Sequence, residues 1–126
     1  MNILITGSSG FISNHFIIKL QNRNKIFGID LKKSDNTYCI HDVRSASYTT
    51  KLPIKIDLII NLAAIHREPG HKPIEYFETN IKGAQNICNF AEKVGCNNII
   101  FTSSISPYGI EAKMKDEDTI PCPNTP

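Results

Sequence analysis

Residues 2–6, Asn-Ile-Leu-Ile-Thr, are a short, almost wholly apolar run that ends at Thr6 and is followed at once by Gly7. A continuous run of this kind with a glycine stop predicts a strand buried on both faces, as at the centre of a parallel sheet. Only four linking residues follow. Then Phe11, Ile12, the pair His15/Phe16, Ile17 and Leu20 recur at helical spacing and predict an amphipathic helix over 11–21. The alternation continues with strands expected at 26–30, 38–40, 56–63 and 98–103. Between the last two, Pro73 suits the first turn of a helix. Tyr76, Phe77, Ile81, Ala84, Ile87, Cys88 and Ala91 trace an apolar face from there to Val94, with Gly95 as the stop.

Strands that alternate with helices predict an α/β fold, a doubly wound parallel sheet of about five strands in the order 3-2-1-4-5 with helices on both faces. Only about half a dozen residues separate the second and third strands, too few for the usual crossover helix, so that helix is expected to be missing or vestigial. Residues 105–126 contain four prolines and no sustained periodicity, and read as a loop leaving the last strand.

With 126 residues the chain fits one domain and one core. Its 40% hydrophobic and 21% charged content is that of an ordinary globular protein. Fourteen Lys and Arg against twelve Asp and Glu leave a net charge of +2, scattered rather than clustered, which argues against nucleic acid as a partner. Lys32 and Lys33 are the one conspicuous basic pair in the first half, short of a polybasic membrane patch. No apolar run approaches the ~20 residues that span a bilayer, and no export signal is visible. Cys39, Cys88, Cys96 and Cys122 form no C-x-x-C pair, and reduced thiols in a cytoplasm fit them best. His66 and His71 lack a third ligand or a helix to fix them, so no metal is expected.

The chemistry concentrates at Thr6-Gly7-Ser8-Ser9-Gly10-Phe11-Ile12, which closes the first strand and opens the first helix. That is the setting of a dinucleotide fingerprint. Gly7 permits a sharp turn and Gly10 a close backbone approach to a pyrophosphate, whose charge is met by free N–H groups and the positive end of the helix. The plain alternative is an ordinary strand-to-helix turn. Asp30 ends the second strand about twenty residues further on, where a carboxylate accepts from ribose hydroxyls. This favours NAD over NADP, a preference that Lys32 and Lys33 soften. Its alternative is a solvent-facing acid at a strand end.

Residues 6–12 resemble the T-G-x-x-G-[FY]-[IV] signature of the extended short-chain dehydrogenase/reductase superfamily, and the fold so implied is Rossmann-type. Further matches follow in order. Asp42-Val43 is similar to the family's Asp-[IVL] pair near the adenine, and Asn61-Leu62-Ala63-Ala64 to its [NH]-x-A-[AG] run beside the cofactor. Asn80 and Gly83 resemble its helical N-x-x-G, and residues 102–109 its S-S-x-x-[VL]-Y-G segment. Two departures stand out. Ser13 replaces the usual third glycine, and Pro107 stands where valine or leucine is common.

Within the superfamily the chain most resembles the N-terminal part of the NAD-dependent epimerase/dehydratase family, the sugar-nucleotide branch that includes UDP-glucose 4-epimerases and 4,6-dehydratases. The resemblance implies NAD as cofactor, a nucleotide-sugar substrate and hydride transfer through a keto-sugar intermediate; a bare sheet edge and helix-packing face would favour instability or association, a homodimer being one form of it. It places Gly7, Ser9, Gly10, Phe11, Ile12, Asp30, Asp42, Val43, Leu62, Ala63, Ala64, Asn80 and Ser103 around the cofactor. Ser104 becomes the catalytic serine that hydrogen-bonds the reacting sugar hydroxyl; a run of hydroxyls capping a strand is its alternative.

The family's general base is the tyrosine of Tyr-x-x-x-Lys, whose lysine lowers the phenol pKa. No such pair occurs: Tyr48 and Tyr76 have no lysine four residues on, and Lys113 is out of register with Tyr108. Residues 1–126 are therefore expected to be a cofactor-binding domain cut short of that motif and of a substrate domain, with one sheet edge bare. Two rival readings remain: a catalytically inactive dinucleotide-binding module or remnant, and an atypical reductase of a non-sugar carbonyl.

Overall fold

The computed structural model describes residues 1–47, 52, 53, 55–67, 69–110 and 114–123, so Tyr48, Lys113 and residues 124–126 lie outside the described residues. Five parallel strands form one sheet in the order β3-β2-β1-β4-β5, as expected. In chain order these are β1 (Asn2–Thr6), β2 (Lys25–Asp30), β3 (Cys39–Ile40), β4 (Leu58–Asn61) and β5 (Ile99–Phe101). β4 and β5 are shorter than their apolar runs because a strand extends only as far as its ladder: β1 meets β4 from Ile3 opposite Leu58 to Thr6 opposite Asn61.

Alternation along β1 builds two cores. Ile3 and Ile5 join Ile60 of β4 beneath helix α1 (Phe11–Leu20), which contributes Ile17. Leu4, with Ile29 and Ile59, faces the other way and packs against Ile87, Phe90 and Ala91 of helix α3 (Gly83–Val94), which ends at Gly95. No helix occurs between β2 and β3, where residues 31–38 instead turn tightly and send the Tyr38 N–H back to the Gly28 carbonyl at 2.8 Å.

The helices correct the sequence reading in two places. Phe11 and Ile12 of α1 are exposed rather than part of the core. The long helix is continuous but composite: α2 (Pro73–Tyr76), a π-helical stretch Phe77–Lys82, then α3. Its apolar residues fall on two adjoining stripes, and only the one through Tyr76, Gly83, Ile87 and Phe90/Ala91 is buried. Phe77, Ile81 and Cys88 are exposed, because one helix facing one sheet buries a single stripe. Beyond β5 the described residues run in loops interrupted by a 3-10 turn at Ser106–Tyr108.

Candidate functional site

A cleft of about 550 Å³ opens at the C-terminal ends of β1, β2 and β4, the edge at which ligands bind in open α/β sheets. Its floor is the turn between β1 and α1. Gly7 sits at φ +68°, and a Cβ there would lie 3.0 Å from the Ala63 nitrogen, so a side chain would drive the turn off the β4 loop. Gly10 accepts the same constraint from the Gly7 carbonyl, 3.1 Å from where its Cβ would stand. Gly10 also precedes α1 without any side-chain cap, which leaves first-turn amides for a ligand. Glycine-lined backbone beside an uncapped helix start fits a pyrophosphate.

The turn is held from below by hydroxyls. The buried Thr6 hydroxyl donates to Asn61 Oδ1 at 2.6 Å and accepts from the Leu62 and Ala63 amides at 3.1 and 3.0 Å. It thereby locks the Gly7 turn to the start of the Leu62–Ala63–Ala64 loop. Ser13 is buried, and its hydroxyl donates to the Gly7 carbonyl at 2.5 Å. A small side chain in place of the third glycine thus keeps α1 close and supplies a tie of its own.

Asp30 closes the next side. Its carboxylate accepts from the Ser9 N–H at 2.9 Å and the Lys32 N–H at 3.0 Å, one on each oxygen. Behind it, Gly28 has no room for a side chain: a Cβ would come within 2.0 Å of the Asn36 carbonyl oxygen and 2.6 Å of Ser8 Cβ.

Asp42 and Val43 form the far end. Arg44 grips the Asp42 carboxylate with its backbone N–H (2.9 Å), Nε (3.0 Å to each oxygen) and Nη2 (2.7 Å). The hydrogen-bonded Arg44 side chain holds the Asp42 carboxyl below the usual carboxylate range, against a partial burial that pushes it up, and Asp42 in turn raises Arg44. The Val43 carbonyl accepts from the buried Asn86 amide at 2.8 Å.

The remaining wall is braced by the long helix. Asn80, in the π-helical stretch, accepts from the Ile65 N–H and donates to the Ile65 carbonyl, both at 2.9 Å. π-turns recur at functional sites, and this one aims an amide at the loop after β4. Tyr76 donates to the Arg67 carbonyl. His71 stands 3.7 Å from Glu75, whose carboxyl the Lys72 N–H holds below its ordinary range. Among the described residues no three His, Cys, Asp or Glu side chains gather as metal ligands.

Gly7, Ser9, Gly10, Phe11, Ile12, Asp30, Asp42, Val43, Leu62, Ala63 and Ala64 therefore line one cleft. Asn80 stands behind it as a brace. Ser103 and Ser104 are exposed beyond β5 and outside the lining, where Thr102 is the nearest lining residue in sequence. Ser104 donates to Ser106 Oγ at 3.0 Å and accepts from the Ser106 N–H at 3.1 Å, in the turn that Pro107 completes. Sequence reasoning missed Arg44, His41, Glu75 and Thr79 in the lining, and the supporting Gly28 and Asn86. For Arg44 a signal was present, since a residue two positions after an acid is within reach to fold back on it.

The profile of the NAD dependent epimerase/dehydratase family matches residues 3–126. The chain is 31% identical over 120 residues to N-acetyl-alpha-D-glucosaminyl-diphospho-ditrans,octacis-undecaprenol 4-epimerase of Escherichia coli O157:H7, covering 93% of this chain and 36% of that protein. It is 26% identical over 134 residues to UDP-glucose 4-epimerase of Klebsiella pneumoniae, covering 90% and 96%. A solved UDP-galactose 4-epimerase superposes with a TM-score of 0.87 over 99% of this chain and 46% of its own, at 23% identity, a likeness of fold. The chain thus spans just over a third, nearly all and just under half of these three proteins.

Proposed function

The chain belongs to the NAD dependent epimerase/dehydratase family, and from that premise we propose that residues 1–126 are the NAD-binding portion of an epimerase or dehydratase acting on a diphosphate-linked sugar. Nucleotide sugars are the first candidates, in line with the Klebsiella relative; the E. coli relative's name carries a polyprenol diphosphate instead. One observation carries the reading: the side-chain-free turn at Gly7 and Gly10 lies against Ala63 in the same cleft as the fixed carboxylates of Asp30 and Asp42.

In this proposal Gly7, Ser9, Gly10, Phe11 and Ile12 hold the pyrophosphate, Asp30 the adenosine ribose, and Asp42 and Val43 the adenine. Leu62, Ala63, Ala64 and Ser103 flank the rest, and Asn80 keeps their loop in place. The chemistry supplied by bound NAD is reversible hydride transfer with a sugar carbon. Ser104 orients the reacting hydroxyl. A cytoplasmic setting accords with four free thiols. Homodimer formation through the exposed stripe of Ile74, Phe77, Ile81 and Cys88 belongs to the same reading.

Calorimetric titration tests it. NAD is expected to bind, NADP more weakly because Asp30 repels a 2′-phosphate, and Gly10→Val to abolish binding and, by crowding the Gly7 carbonyl, to lower the melting temperature. Undiminished NAD binding by Gly10→Val overturns the assignment. A second reading is a catalytically inactive dinucleotide-binding module. It predicts NAD binding without turnover of any sugar nucleotide by the protein as isolated from its own cells.

A further inference from the structure

The Gly7 carbonyl oxygen lies beside the glycine turn to which the cofactor reading assigns an anion. It stands 3.1 Å from the position that a Gly10 Cβ would take, and both glycines line the cleft. A carbonyl oxygen is the negative end of a dipole, so at this place it opposes the charge that the first-turn amides of α1 attract. An amide carbonyl also has two lone pairs to satisfy. Here each has a donor: the Gly10 N–H at 3.0 Å and the Ser13 hydroxyl at 2.5 Å. The first belongs to the backbone of the turn and does not depend on the residue at position 13. The second is a property of the serine side chain, and a glycine at that position has no counterpart to it. Ser13 is 1% exposed, and a hydroxyl has one proton to give, so this donor is spent on Gly7 and not on a ligand.

We propose that Ser13 is a positioning residue that, besides tying α1 to the turn, screens the Gly7 carbonyl dipole from the diphosphate of the bound dinucleotide. The inference rests on the cofactor reading above. The hydroxyl acts on the ligand only through the Gly7 carbonyl, and only on the part of the ligand that carries charge. Base and ribose lie toward Asp42 and Asp30 in that reading and are indifferent to it. A tie without screening would act differently: it would alter binding through the shape of the turn. That shape has its own reporter, the bond from the Gly10 N–H to the same carbonyl.

The test compares affinities for NAD and for adenosine, which keeps the base and its ribose but has no phosphate, by NMR titration of the isotopically labelled chain. The scalar coupling across the hydrogen bond between the Gly10 nitrogen and the Gly7 carbonyl carbon is measured alongside, as the state of the turn. Ser13→Ala is expected to weaken NAD about fivefold, the scale of one hydrogen bond. Adenosine affinity and the coupling are expected to stay at their wild-type values. A ratio of the two affinities that does not change in Ser13→Ala overturns the proposal. So does a lowered ratio accompanied by loss of the coupling, because the effect then comes from a deformed turn. If Ser13→Ala fails to fold, Ser13→Gly is read by the same two measures with the same expected results, and failure of both to fold leaves the hydroxyl as a tie alone and overturns the screening role. A wild-type chain that binds NAD no better than adenosine overturns the cofactor reading itself, whereas an unchanged ratio on top of firm NAD binding removes only the role of Ser13.

Discussion

β1 and β5 are both short parallel strands rich in isoleucine, and they live in opposite surroundings. Ile3, Leu4 and Ile5 of β1 are 0–1% exposed, whereas Ile99, Ile100 and Phe101 of β5 are 39%, 45% and 60% exposed. β1 has a strand on each side and a helix over each face; among the described residues β5 pairs with β4 alone. The difference carries into the loops that follow. The Gly7 turn is tied down by Thr6, Ser13 and Asp30 through Ser9, but Ser103 and Ser104 stand exposed, and among the described residues Ser104 bonds with Ser106 of its own turn. The turn after β1 is thus tied to its neighbours by three side chains, whereas the turn after Ser104 is tied, among the described residues, by one backbone bond, from the Cys122 N–H to the Pro107 carbonyl at 2.7 Å.

That contrast can be broken in order of expected effect. The largest falls near the fingerprint. Gly28→Ala puts a methyl group into the Asn36 carbonyl and Ser8, with an expected loss of about 4 kcal/mol in urea unfolding, at the extreme of single-substitution effects; a near-native midpoint would mean that the 31–38 loop yields freely. Next, Leu4→Ala is expected to cost about 3 kcal/mol, as buried leucines do, against less than about 1 kcal/mol for Ile100→Ala at an exposed edge. Equal losses would erase the distinction between the two strands.

Smaller effects sharpen it. Asn80→Ala strips partners from both Ile65 backbone groups and should cost about 2 kcal/mol, with faster hydrogen exchange at the Ile65 amide as the local readout. Unchanged exchange there would remove Asn80 as the brace. The smallest effect is electrostatic. Because the folded pKa of Asp42 is depressed, its pairing with Arg44 stabilises the fold fully above the ordinary carboxylate range, and that contribution disappears as pH falls through the lower folded value. Both side chains are about a third exposed, so solvent screening keeps it below about 1 kcal/mol. Asp42→Asn should flatten the acid limb of the stability profile by that amount, and an identical limb in the variant would count against the pairing.

Much of this was legible beforehand because it is local. The β1 run, the glycine after it, the uncapped start of α1 and the Gly95 stop each depend on a few consecutive residues. The short gap between β2 and β3 excluded a helix by length alone. The lining residues from Gly7 to Ala64 were legible because they follow strand ends, and strand ends of a parallel sheet share one edge. Ser103 and Ser104 also follow a strand, yet the lining after β5 stops at Thr102, whereas after β3, at the opposite edge, it continues through Asp42, Val43 and Arg44.

The chain by itself determined the alternation of elements, the strand order and the site's location, since these follow from periodicity, glycine placement and the handedness of crossovers. Only the tertiary structure decided which stripe of the long helix is buried, why Gly28 tolerates no side chain, that the Thr6 hydroxyl ties two loops together, and that Arg44 turns back on Asp42. Most of these depend on atoms far apart in sequence arriving within a few ångströms of one another, and even the Arg44 fork needs a rotamer that its setting selects. Periodicity along a chain carries no record of such distances.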